Sequence, residues 1–115
     1  MTTSSNPALR RREVIHIAVV FSDQRGVKVR PAVVVSGNQQ APDIVIATIT
    51  SNLNALPHPG DHVITDWLGA GLPRPSLAQA KVTTIAQALV QRKISSFSPR
   101  DLTAFDTGLK LALAF

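Results

Sequence analysis

Cysteine is absent from the 115 residues. That excludes disulfide frameworks, thiolate nucleophiles, Cys-ligated zinc and iron–sulfur clusters. Aromatic residues make up only 4% of the chain, too few for an RNA-binding sheet that stacks bases on several exposed rings. No apolar run approaches the roughly 18 residues that a membrane span requires. The first twelve residues carry Arg10, Arg11 and Arg12 but no apolar stretch before a cleavage site. They do not read as a signal peptide, and the cytoplasm is the expected compartment. The signature loops of nucleotide binding, zinc proteolysis and serine hydrolysis are missing too. Arginines, hydroxyls, three histidines and seven carboxylates remain as the reactive set.

An apolar content of 44% and a charged content of 17% are those of a globular chain. The length suits one domain with a single core. Twelve cations against seven carboxylates give a net charge of +5, which favours a polyanion or an acidic protein as partner. Residues 1–12 read as a flexible basic arm and residues 13–115 as the folded domain.

The stretch Lys28-Val29-Arg30-Pro31-Ala32-Val33-Val34-Val35-Ser36 is the most informative. Pro31 fixes its own φ and biases Arg30 toward extended backbone. The valines favour a strand buried on both faces, with Arg30 at its mouth. Before it, residues 14–21 alternate, with Ile15, Ile17, Val19 and Phe21 on the expected core side and His16 on the other. The polar connection through Asp23, Gln24, Arg25 and Gly26 is a natural place for substrate contacts. After it, residues 44–49 form a third strand ending in Thr50-Ser51-Asn52, three side chains that donate and accept hydrogen bonds. Short loops make the three strands an antiparallel meander.

Further on, prolines around His58 and His62 disfavour a helical metal pair, and no metal or cofactor is expected. Asp66 to Gly71 reads as one helical turn with Asp66 as cap and Gly71 as stop. Arg74-Pro75-Ser76 repeats the cation-before-proline pattern. Ser98, Pro99 and Asp101 start a terminal helix whose apolar face is Leu102, Phe105, Leu109 and Leu113. The whole is mainly β, a bent sheet or open barrel with one closing helix.

This inventory suits attack on a phosphodiester. RNA cleavage by the adjacent 2′-OH requires no metal. It requires a proton acceptor, a cation for the phosphorane and a donor for the departing 5′-oxygen. Arg30 supplies a fork for two phosphate oxygens, and Thr50 and Ser51 supply hydroxyls. Arginine is protonated near neutral pH, so the base is another group. His16, His58 and the Asp23 region are the open candidates.

In this order the segments RPAVVVS at 30–36 and IATITS at 46–51, with Trp67, Ala70-Gly71-Leu72 and Pro75-Ser76, resemble the MazF/PemK toxins of bacterial type II toxin–antitoxin pairs. The resemblance implies an SH3-like small β-barrel of the CcdB/PemK kind with a C-terminal helix, and a homodimer. It implies a metal-independent, sequence-selective endoribonuclease that cuts single-stranded RNA such as mRNA and leaves a 2′,3′-cyclic phosphate. An acidic cognate antitoxin would neutralise it. Catalysis maps onto Arg30 and Thr50 with Ser51 beside them, and RNA contacts onto Gln24, Arg25, Lys28 and His16. Arg30 and Thr50 should then stand close enough to share one phosphate through hydrogen bonds. One departure stands out: family members open the first strand after Gly-Asp or Gly-Glu, and this chain has Arg12-Glu13. Two alternatives keep the fold and lose the chemistry, namely an inhibitor of a protein such as gyrase and a degenerate member that only binds antitoxin.

Overall fold

The structure, a computed structural model, describes residues 9–20, 26–36, 42–54 and 58–113. Strands β1 (Glu13–Val20), β2 (Val27–Ser36) and β3 (Asp43–Thr50) form the antiparallel meander read from the sequence. β2 starts three residues before Arg30, because Val27, Lys28 and Val29 already pair with Val20, Val19 and Ala18. Pro31 lies one residue outside the β2–β3 ladder, which ends at Ala32 opposite Thr48. Its missing N–H therefore costs that ladder no bond.

The chain continues through β4 (His62–Val63), β5 (Leu77–Ala86), a 3₁₀ turn, β6 (Val90–Ser96) and α1 (Pro99–Leu113). The sheet order is β4-β5-β3-β2-β1-β6. Among the described residues the two end strands do not pair, so the barrel-like sheet is open at one seam. The turn after β4 spans that seam. Ser95 Oγ of β6 donates to the Gly69 carbonyl at 2.7 Å. Gly71 has φ +82°, and a Cβ there would meet Ile94 Cγ2 at 2.4 Å, so only glycine fits.

Alternation along the strands divides the core in two. Val14, Val33, Ala47 and Ile49 face the larger cluster, with Phe97, Phe105 and Leu109. Ile15, Ile17, Ala32, Val34, Ile44 and Ile46 face a second cluster that includes Leu9. The three central strands are thus apolar on both faces, as their valine and isoleucine runs require. Val14, on the same face of β1 as His16 and so opposite the expected core side, is fully buried.

The chain packs on this body from residue 9 and is hydrogen-bonded from residue 10. Arg12 N–H donates to the Val34 carbonyl, Phe97 N–H donates to the Arg12 carbonyl, and the Arg11 guanidinium pairs with Asp106 on α1. The boundary expected between residues 12 and 13 falls inside this bonded stretch. Residues 1–8 lie outside the described residues.

The 66–71 segment carries the caps read from its sequence, on a turn rather than a helix. Gly69 N–H donates to Asp66 Oδ1, Ala70 N–H to the Asp66 carbonyl and Leu72 N–H to the Trp67 carbonyl. Trp67 packs partly buried on the larger core. On α1 the buried stripe is Asp101, Phe105 and Leu109, whereas Leu102 is half-buried and Leu113 is exposed. The apolar face is rotated from the expected one because Asp101 anchors the first turn.

Asp101 is fully buried. Its N–H donates to the Ser98 hydroxyl oxygen, the cap, and its carboxylate accepts Thr65 N–H and Asp66 N–H at 2.8 Å each and meets His62 Nε2 at 2.7 Å. Burial alone would raise the Asp101 pKa. The bonds from Asp66, Thr65 and His62 outweigh it and hold the carboxyl below its usual value. A carboxyl depressed on folding adds stability above its unfolded pKa of about 3.9 and loses it as pH falls through the folded value. Urea unfolding should therefore show stability falling below about pH 4. Asp101→Asn should destabilise the protein at pH 7 by about 2–4 kcal/mol and flatten that acid dependence. An unchanged midpoint in the variant would remove Asp101 as the anchor.

Candidate functional site

The β2–β3 register pairs Ala32 with Thr48, Val33 with Ala47 and Val34 with Ile46. Carried two residues further, it sets Arg30 opposite Thr50. Facing residues of an antiparallel pair share one face and lie about 5 Å apart at Cβ. Arg30 and Thr50 line one cleft of about 300 Å³, near the lower end of ligand-pocket sizes. Arg30 is exposed and Thr50 half-buried, so the pair faces outward from the end of the sheet.

Ser51 and His16 line the same cleft. Thr50 Oγ1 accepts the Asn52 N–H at 3.1 Å. That bond orients the side chain and leaves its hydroxyl hydrogen to be donated. His16 sits on β1 opposite Pro31, the neighbour of Arg30, and opposite Arg92 on β6. Burial, and behind it the Arg92 cation, lower the His16 pKa from its usual value. The imidazole is accordingly neutral at pH 7.

The sequence reading did not assign Arg74 to the site, although it marked the 74–76 pattern. Arg74 and Leu72 line the cleft from the segment leading into β5. Ser76 is buried, and its hydroxyl donates to the Arg74 carbonyl at 2.8 Å, while Ile64 N–H donates to the Ser76 carbonyl. The usable signal was the echo of Arg30-Pro31-Ala32 in Arg74-Pro75-Ser76, a pre-proline cation in both, the first inside β2 and the second just before β5. The two arginines give the cleft a positive character, and no carboxylate is among its described lining.

Lys28 is exposed on β2, opposite Val19, and does not line this cleft. Gln24, Arg25 and Asp23 lie outside the described residues. His58 is exposed away from the cleft, and its N–H donates to Asp61. His62 Nε2 meets Asp101 Oδ1 at 2.7 Å.

The family model for the PemK-like, MazF-like toxins of type II toxin–antitoxin systems matches residues 10–113. The chain belongs to this family. No curated protein matches its sequence significantly. An endoribonuclease in complex with its cognate antitoxin, from Mycobacterial species, superposes with a TM-score of 0.71 at 16% identity over 96% of this chain and 97% of that one. MazF of Deinococcus radiodurans, in a MazE–MazF complex, gives 0.71 at 14% identity over 96% and 99%. The Mycobacterium tuberculosis toxin MazF-mt6 gives 0.65 at 21% identity over 88% and 96%. At such identities the likeness establishes the fold, a mainly β sheet with a C-terminal helix.

The family's missing glycine has a structural reading. Arg12 occupies the left-handed region with φ +74°, where a glycine incurs no Cβ penalty. Both Arg12 backbone bonds are nevertheless made. The departure thus strains one residue and leaves the start of β1 intact. Arg12→Gly should raise the unfolding free energy by about 0.5–1 kcal/mol, the left-handed penalty less the added freedom of the unfolded chain. The urea midpoint at constant slope measures this. A lower midpoint would mean that the Arg12 side chain stabilises the fold more than its backbone strains it.

Proposed function

We propose that this toxin is a metal-independent, sequence-selective endoribonuclease that cuts single-stranded RNA such as mRNA in the bacterial cytoplasm. The observation that carries the reading is the convergence of Arg30, Thr50, Ser51 and Arg74 on one open cleft. Family membership supports it, as do two similarly folded mycobacterial proteins named as endoribonucleases.

The roles follow from the side chains. The Arg30 guanidinium binds two non-bridging oxygens of the scissile phosphate. The Thr50 hydroxyl donates to an oxygen that gains charge as the pentacoordinate phosphorane forms, and Ser51 adds a second donor. Arg74 holds a flanking phosphate from the opposite wall. Lys28 and Arg25 serve phosphates further along the strand. The adjacent 2′-OH attacks, the P–O5′ bond breaks, and the products end in a 2′,3′-cyclic phosphate and a 5′-hydroxyl. The toxin works as a homodimer. Its net charge of +5 suits neutralisation by an acidic cognate antitoxin, the kind of partner named for the mycobacterial and Deinococcus proteins.

The test is incubation of the purified toxin with a long single-stranded RNA in excess chelator, with mass analysis of the fragment ends. Cyclic-phosphate fragments are expected, and Arg30→Ala should slow cutting by about a hundredfold or more. Cutting that needs added Mg²⁺, or an Arg30→Ala variant that cuts as fast as the parent, overturns the mechanism. Intact RNA together with stalled DNA replication in producing cells would place the chain with the gyrase inhibitors instead.

A further inference from the structure

RNA cleavage by the 2′-OH needs a group that takes the hydroxyl proton. The cleft's described lining is sparse in such groups: two arginines, which stay protonated, and three hydroxyl residues, which are poor bases at neutral pH. His16 is the exception. It lines the same cleft from β1, paired with Pro31, the residue that follows Arg30 on β2. Resting on the ribonuclease reading above, we infer that His16 is the general base that takes the proton from the attacking 2′-OH.

The step balances within the RNA and the imidazole. A neutral ring nitrogen of His16 accepts the 2′-OH proton while the O2′–P bond forms. Arg30 and Thr50 hold the charge on the phosphorane. The P–O5′ bond then breaks, the 5′-oxygen takes a proton from water, and the imidazolium returns its proton to solvent. No water is consumed in forming the cyclic phosphate.

The surroundings of His16 keep it in the working form. Arg92 on β6 pairs with His16, and Arg30 on β2 and Arg74 before β5 line the same cleft. Burial and, behind it, the Arg92 cation disfavour the charged ring. A base whose pKa is lowered stays competent to more acidic pH. The acid limb of kcat/KM should therefore fall below the ordinary histidine value of about 6.5.

The experiment uses the full chain and a short RNA containing one cleavage site, together with the same RNA carrying a 2′-deoxy sugar at that site. His16→Gln keeps hydrogen bonding and approximate size but cannot take a proton. It should lower kcat/KM by about a hundredfold or more, bind the deoxy RNA within threefold of the parent, and lose the acid limb. Arg92→Ala, a change outside the cleft lining, should move the parent's acid limb to higher pH. This second variant keeps the test open if His16→Gln fails to fold. His16→Gln cutting at the parental rate, an acid limb that survives the substitution, or a limb unmoved in Arg92→Ala overturns the assignment. So does an acid limb lost in Asp23→Asn but retained in His16→Gln. A parent that cuts no RNA overturns the ribonuclease reading itself, so the two failures are distinguishable.

Discussion

The register of β2 on β3 is the constraint on which the cleft depends. With Ala32 opposite Thr48, Arg30 and Thr50 leave the ladder together and on the same face. A slip of one residue would turn one of them to the other face and dismantle the pair. The slip is opposed by burial on both sides. Val33 and Ala47 are locked in the larger core, and Ala32, Val34 and Ile46 in the smaller one. Each would exchange clusters if the register moved. Two apolar faces thus fix the position of two polar residues.

The second wall of the cleft is fixed through polar bonds. Asp101, at the start of α1, holds the backbone at Thr65 and Asp66. Ile64 holds the Ser76 carbonyl, and Ser76 holds the Arg74 carbonyl. Helix cap, β4 and the Arg74 segment thus form one chain of bonds. Gly60 and Gly108 draw the same elements together, since a Cβ on Gly108 would come within 2.6 Å of the Gly60 carbonyl oxygen. The terminal helix carries no cleft residue, yet its first turn positions a cation that does.

Much of this was legible in the sequence because local rules and burial agreed. The valine run before Ser36, the alternation at 44–49 and the Ser98-Pro99 start each state their own conformation, whereas Arg30, expected at the strand mouth, lies inside β2 because residues 27–29 already pair with β1. The rotated face of α1 was not legible, because helical spacing treats Asp101 as a surface cap and cannot register the bonds from His62, Thr65 and Asp66, all distant in sequence. Arg74 was visible as a pattern but not as a site residue, since its placement depends on β5 pairing with β3, a contact between segments about thirty residues apart. The positive φ of Arg12 was equally hidden, although the missing glycine marked the position.

The central claim is that Arg30 and Thr50 act on one phosphate. A double-mutant cycle on RNA cleavage tests it most directly, with Arg30→Ala, Thr50→Ala and the double variant measured as kcat/KM. Residues that share one oxyanion depend on each other, so the double variant should be no more than about threefold slower than the worse single one. Losses that multiply would mean that the two residues act independently, and would contradict the account.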